Sequence, residues 1–196
     1  MNWMEVTTDK LVNAYVKKNY VLKNGIYCVN VFGIRANTQA TNTFDDIVGI
    51  LRMNHGNQWE ALLCDATTDP GLYYLEHPMN VKGTAILMPG QYVGSHKTGL
   101  HKGDEALIQC GTLRIWRDRN KDDIYDYTNP QDSNRDGIDI HHAGANSTIV
   151  GNWSAACQVI ARRTEFDDFM LQIAEHLSEG FEDLFDYTLF EVMELL

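Results

Sequence analysis

Gly137-Ile138-Asp139-Ile140-His141-His142-Ala143-Gly144 is followed, after a short loop, by Gly151-Asn152-Trp153-Ser154-Ala155-Ala156-Cys157-Gln158-Val159-Ile160. An apolar strand delivers His141 at its end. Cys157 arrives sixteen residues later, between a turn of small residues and a second apolar run. Taken singly, a cysteine between alanine and glutamine reads as core and a histidine at a strand end reads as surface. Together they suit nucleophilic chemistry. A free thiol, with a pKa of about 8.5, is mostly protonated at neutral pH, and an adjacent imidazolium favours the thiolate. Small residues before the nucleophile let the backbone turn tightly, so that its N–H groups can face a developing oxyanion.

Outward from this stretch the chain reads as strands. Ile26 to Phe32, Ile47 to Leu51 and Trp59 to Cys64 are β-branched and aromatic, and Asn54-His55-Gly56-Asn57 joins the last two as a turn. Shorter strands are predicted at Ala85 to Leu87, Ala106 to Gln109, Leu113 to Trp116 and Ile138 to Ile140, with Asp118 to Asp136 as a long polar loop. An opening helix is predicted from a Thr8-Asp9 cap, with Leu11, Val12, Tyr15 and Val16 on one face and Asn24-Gly25 as its stop. Thr164-Glu165-Phe166-Asp167 resembles a capping box, and Phe166, Phe169, Met170, Ile173 and Leu177 form an apolar helical face that ends at Gly180. Phe185, Tyr187 and Leu189 alternate as a closing strand.

The chain has 196 residues, 44% of them hydrophobic, which is one domain with a real core and excludes a mostly disordered chain. Its formal charge of −11 repels polyanions, so neither nucleic acid nor an anionic membrane is expected as a partner. The apolar runs are too short to span a bilayer, and Met1 to Val6 lacks a signal-peptide layout, so the expectation is a soluble protein made in a cytoplasm. Cys28, Cys64, Cys110 and Cys157 show no C-x-x-C spacing; Cys157 alone has a catalytic setting.

The sequence His141, then Ser154-Ala155-Ala156-Cys157, resembles the histidine and Ser-x-Gly-Cys signature of the L,D-transpeptidase (YkuD-like) catalytic domain, which acts on the stem peptides of peptidoglycan. The resemblance implies a mainly β, α+β domain: an L,D-transpeptidase-like β-sandwich with an N-terminal helix and a C-terminal helix plus closing strand. Residues 1–25 would be the helical segment and 26–196 the catalytic domain of a single-domain chain. It also implies Cys157 as nucleophile, His141 as base, the His142 carbonyl as the group orienting that base, and Ser154 as a brace for the turn. A wider likeness to phage-encoded single-domain endolysins covers roughly residues 44 to 190, through Thr67 to Gly71, Gly83 to Tyr92, His101-Lys102-Gly103, Arg117 to Asn120 and Phe185 to Leu189. It implies an infected host's cytoplasm or the virion as location, with virion or tail proteins as further partners. The chain departs from the signature twice. Ala156 replaces the glycine before the cysteine, and Val159 replaces an arginine that usually meets a substrate carboxylate, leaving only Arg162 and Arg163 nearby. A weakened or inactive virion protein on the same fold is therefore the main alternative.

Other constellations are less specific. Asp132, Asn134 and Asp136, with Gly137 following, repeat the opening of a calcium loop but lack its distal glutamate. Asp118 to Asp122 shows the same opening spacing. His96, His101 and His141 are a possible zinc set for a metallopeptidase, without an H-E-x-x-H motif. No metal is required by the cysteine reading. His101, between Gly99 and Gly103, and Trp153 are candidates to line the substrate pocket.

Overall fold

The computed structural model describes residues 6–38, 40–134 and 136–195; the N-terminal residues 1–5, read above for a leader, lie outside them. The elements in chain order begin with α1 (Thr8–Lys17), β1 (Asn30–Arg35), β2 (Asp46–Met53), β3 (Trp59–Thr67), α2 (Leu72–Glu76), β4 (Thr84–Leu87) and β5 (Gly90–His101). They continue with β6 (Asp104–Gln109), β7 (Leu113–Asp118), β8 (Gln131–Ser133), β9 (Ile140–His142), β10 (Gln158–Ile160), α3 (Arg163–Ser178) and β11 (Phe185–Glu191). Among the described residues the result is mainly β with three α-helices, and no helix there is long and apolar enough to cross a membrane.

The main sheet closes on itself in the order β1-β11-β5-β6-β9-β10-β3-β2, where a sandwich was expected; β4-β7-β8 form a second, three-stranded sheet. Closure leaves the main sheet without an open edge. Two of its contacts are parallel, β1 with β11 and β9 with β10. A parallel pair cannot be joined by a tight hairpin. Residues 143–157 make the crossover from β9 to β10 and carry the small-residue turn with them.

β1, β2 and β11 are buried on both faces. Val31, Val48, Ile50, Tyr187 and Leu189 belong to the central cluster with Phe166, Phe169 and Ile173 of α3. The alternate residues Phe32, Ile34, Ile47, Leu51 and Phe190 pack with Leu11, Ala14 and Tyr15 of α1. A ten-residue helix is marginal alone, so α1 owes its order to this contact. Helix α1 is thereby packed onto the sheet.

Local boundaries differ from the sequence expectations for identifiable reasons. Thr7, not Thr8, caps α1, its hydroxyl accepting from Lys10 N at 3.3 Å. The helix stops at Lys17, well before Gly25, because Asn19 adopts a left-handed conformation with φ 55. Tyr27, at φ 59, keeps residues 26–29 out of β1. Thr164 does not cap α3; Arg162 is the N-cap residue, and Glu165 pairs with Arg162 and accepts from Asp65 N. β5 is the long strand that the sequence hides.

Candidate active site

His141 is the middle residue of β9, opposite Val159 of β10 in the parallel ladder. Cys157 precedes β10 directly. A ring nitrogen of His141 and one of His101 lie within 4.8 Å of Cys157 Sγ and of each other. His141 Nδ1 faces the carbonyl of His142 at 2.9 Å. A carbonyl only accepts, so this bond places the proton on Nδ1 and leaves Nε2 with its lone pair. That Nε2 is buried with no other partner among the described residues.

The turn before the thiol is held from several sides. Ser154 is fully buried, and its hydroxyl donates to Cys157 O at 2.8 Å, while Gly71 N donates to Ser154 O at 2.9 Å. Gln158 Nε2 donates to Ala156 O at 3.1 Å and Gln158 Oε1 accepts from the Tyr187 hydroxyl at 2.7 Å. Thr68 O accepts from buried Arg35 Nη2 at 2.7 Å, and Gln158 Nε2 lies 3.4 Å from the same oxygen. Ala156 sits at φ 153, a backbone region that side chains disfavour and glycine takes freely. Alanine at this position is thus strained in place.

Asp139 was not singled out from the sequence. Its Oδ2 accepts from His101 Nδ1 at 2.8 Å and its Oδ1 from Gln109 N at 2.9 Å. The His101 ring lies flat on His141, with centroids 4.1 Å apart and planes 8° from parallel. One signal was present: in Asp139-Ile140-His141 the period of two puts aspartate and histidine on the same face. Gln158 and Tyr187 were missed as well, and they carry no local signal.

Burial dominates the electrostatics. It pushes the Cys157 thiol up to about 12, although backbone contacts at Asp139 and Cys157 oppose it. Burial likewise brings His141 down to about 4, against the pull of the His142 carbonyl. The pair therefore rests as neutral thiol and neutral imidazole. A standing imidazolium–thiolate pair, the sequence expectation, would bury two charges.

A cleft of about 260 Å³ opens on the imidazole side, lined among others by His101, Lys102, His141, Trp153 and Arg163. A second, of about 170 Å³, reaches Ala155 and Ala156 from the side of Arg117. The turn before Cys157 thus lies between two openings. Arg163 reaches the first cleft and lies 3.2 Å from His142 Nε2, whereas Arg162 is engaged with Asp65 and Glu165. The His142 ring packs on Phe166, so it is the His142 carbonyl that serves His141.

Two histidines and a thiol are donors that zinc accepts. An ion bonded to an imidazole nitrogen lies in the plane of that ring. The stacked, near-parallel planes of His101 and His141 do not converge on one ion, and turning His101 to meet it would sacrifice the bond to Asp139. His96 is fully buried elsewhere, its two nitrogens facing Ser95 Oγ and Ile138 O. The three candidate calcium ligands face separate partners: Asp132 lies toward Arg114, Asn134 accepts from Thr112, and Asp136 accepts from Arg117 and Ser133. The array at Cys157 suits proton transfer better than ion binding.

Compared with family models, curated proteins and solved structures, the chain matches none of them.

Proposed function

We propose that this chain is a cysteine peptidase of the phage endolysin type that cuts peptidoglycan stem peptides, on a domain of the L,D-transpeptidase kind. The observation that carries the reading is the unpartnered Nε2 of His141, its lone pair fixed by the bond from Nδ1 to His142 O, on a ring with one nitrogen within 4.8 Å of the Cys157 sulfur. As Sγ attacks the carbonyl of a stem-peptide bond, Nε2 takes the thiol proton. Backbone N–H groups of the Ala156–Cys157 turn meet the oxyanion. The proton passes from His141 to the leaving amine, the C–N bond breaks, and a thioester on Cys157 remains. Water then completes hydrolysis, or an amine completes transfer.

The test is mass spectrometry of fragments released from purified peptidoglycan by the parent and by Cys157→Ala. Stem-peptide cleavage by the parent alone is the expected result and names the bond. Equal release by both would place the chemistry elsewhere. Strain at Ala156 favours a second reading, an inactive virion or tail protein on the same fold. A folded parent that releases nothing from walls of several chemotypes would select it.

A further inference from the structure

The stack of His101 on His141 places two imidazoles at one thiol, and a cysteine peptidase needs only one to form its acyl-enzyme. The two differ in ways that assign them different steps. His141 is 5% exposed and has its Nδ1 tied to a neutral carbonyl. Its Nε2 is buried without a partner, and one nitrogen of the ring lies within 4.8 Å of the sulfur. The His101 side chain is 19% exposed in the cleft, and its Nδ1 is tied to a carboxylate that is itself anchored by Gln109 N. A neutral carbonyl sets a tautomer, whereas a carboxylate also supplies a counter-charge when the ring takes a proton.

We infer that His101, held by Asp139, is the base that activates water against the thioester on Cys157, making this site a hydrolase rather than a transferase. The inference rests on Cys157 being the nucleophile, not on the identity of the peptide. Water entering the cleft gives a proton to His101 Nε2 as its oxygen bonds to the thioester carbon. The tetrahedral centre then collapses, the C–S bond breaks with its electron pair on sulfur, and the product leaves as a carboxylic acid. The thiolate takes the proton back from His101, a ring with one nitrogen within 4.8 Å of Sγ, and the resting thiol is restored. Two positive charges on stacked rings would repel each other. The order of events avoids this, because His141 is charged only while the acyl group is being loaded and His101 only while it is being released.

The fold supports the assignment. His101 ends β5 and pairs across a two-residue turn with Asp104 of β6, Lys102 and Gly103 taking positive φ values of 53 and 99. The imidazole is thus presented from a rigid hairpin. Asp139 comes from a separate segment, so it is a positioning residue that acts through His101.

The experiment uses 4-nitrophenyl acetate as acyl donor in the Cys110→Ser background, which removes the one exposed thiol. Intact-protein mass spectrometry, with peptide mapping to Cys157, follows formation and decay of the acetyl adduct. In His101→Ala, decay is expected to slow at least about 100-fold more than formation does, and imidazole added to the buffer should restore it. Asp139→Asn keeps both rings and should also slow decay selectively, by about tenfold. Decay in His101→Ala at the parent rate would overturn the inference. So would an equal loss of both steps that imidazole does not rescue, since that marks a merely structural role. Absence of any adduct on Cys157 in the parent would remove the nucleophile itself, and the peptidase reading with it.

Discussion

Tyr187, on β11, donates its hydroxyl to the side-chain carbonyl of Gln158, 2.7 Å away and next in sequence to Cys157. Both residues are fully buried, and the same glutamine amide donates to Ala156 O. One side chain therefore links a sheet strand to the backbone turn before the thiol. Gly33 makes room for the link, since a Cβ there would lie 2.1 Å from the Tyr187 oxygen.

Gln158→Leu should orphan the Tyr187 hydroxyl and cost about 1–3 kcal/mol in denaturant unfolding. Adding Tyr187→Phe should recover part of that loss, because both partners are then apolar. A double-mutant cycle measures the coupling; strictly additive losses would mean that the bond contributes nothing.

Ala156→Gly should raise stability. Relief of backbone strain at φ 153 is worth roughly 1–3 kcal/mol, offset by about 0.5–1 kcal/mol for the added freedom of glycine in the unfolded chain. A gain of about 1 kcal/mol corresponds to roughly 2–4 °C in Tm for a chain of this size. If the turn also aims the oxyanion donors, acetylation of Cys157 by 4-nitrophenyl acetate should quicken in the same variant.

Three buried histidines should each lose their contribution to stability in mild acid, while burial raises Asp46, Asp69 and Asp118 and these carboxyls pull the other way over the same window. Burial brings both His96 and His141 down to about 4, and it also lowers His176. Unfolding returns each ring to its ordinary value near 6.5, so the unfolded chain binds protons that the folded chain refuses. Their contribution is full above about pH 6.5 and is lost as pH falls toward 4, on the order of 3 kcal/mol for a ring displaced that far. Denaturant melts across this window test it. Measured against the parent, His96→Gln should lose less stability as pH falls from about 6.5 toward 4, even where it lowers stability at neutral pH.

Iodoacetamide at pH 7 should modify Cys110 first. Cys110 is exposed, whereas Cys28, Cys64 and Cys157 are buried, and burial holds the Cys157 thiol up near 12. Mass spectrometry should find Cys157 at least about tenfold slower, since the thiolate is the reacting form. Fast, selective labelling of Cys157 instead would mean that the imidazoles stabilise its thiolate at rest.

The sequence was informative where the chemistry is local. His141, Ser154, Ala156 and Cys157 occupy one short stretch, and their types and spacing are visible without a structure. Helix α3 was equally visible, because Phe166, Phe169 and Ile173 repeat at helical spacing and are all buried. Strand β5 was invisible: Gly90, Gly94 and Gly99 interrupt it and polar residues crowd it. Gly99 is required because a Cβ there would meet Ile108 at 2.5 Å, a contact across strands that no local pattern encodes. Asp139 shares a face with His141 by the period of two, but its partner His101 lies 38 positions away, so that pairing was not readable. Closure of the main sheet depends on the parallel contacts of β1 with β11 and β9 with β10, and long-range pairing leaves no periodicity to read.

The parallel contact between β9 and β10 also separates two properties that the sequence runs together. His141 faces Val159 across one ladder, so the gap between His141 and Cys157 is set by the spacing of neighbouring strands, about 4.8 Å, and by the short step back to Cys157. The sixteen-residue interval is a detour around that gap and does not measure it. Residues 143–153, with Trp153 on the rim of the cleft, make that detour, and backbone bonds from Ser147 to Ala161 and from Val150 to Asn42 pin it to the rest of the fold. The path of the chain and the distance it closes are thereby set by different contacts within one contiguous segment.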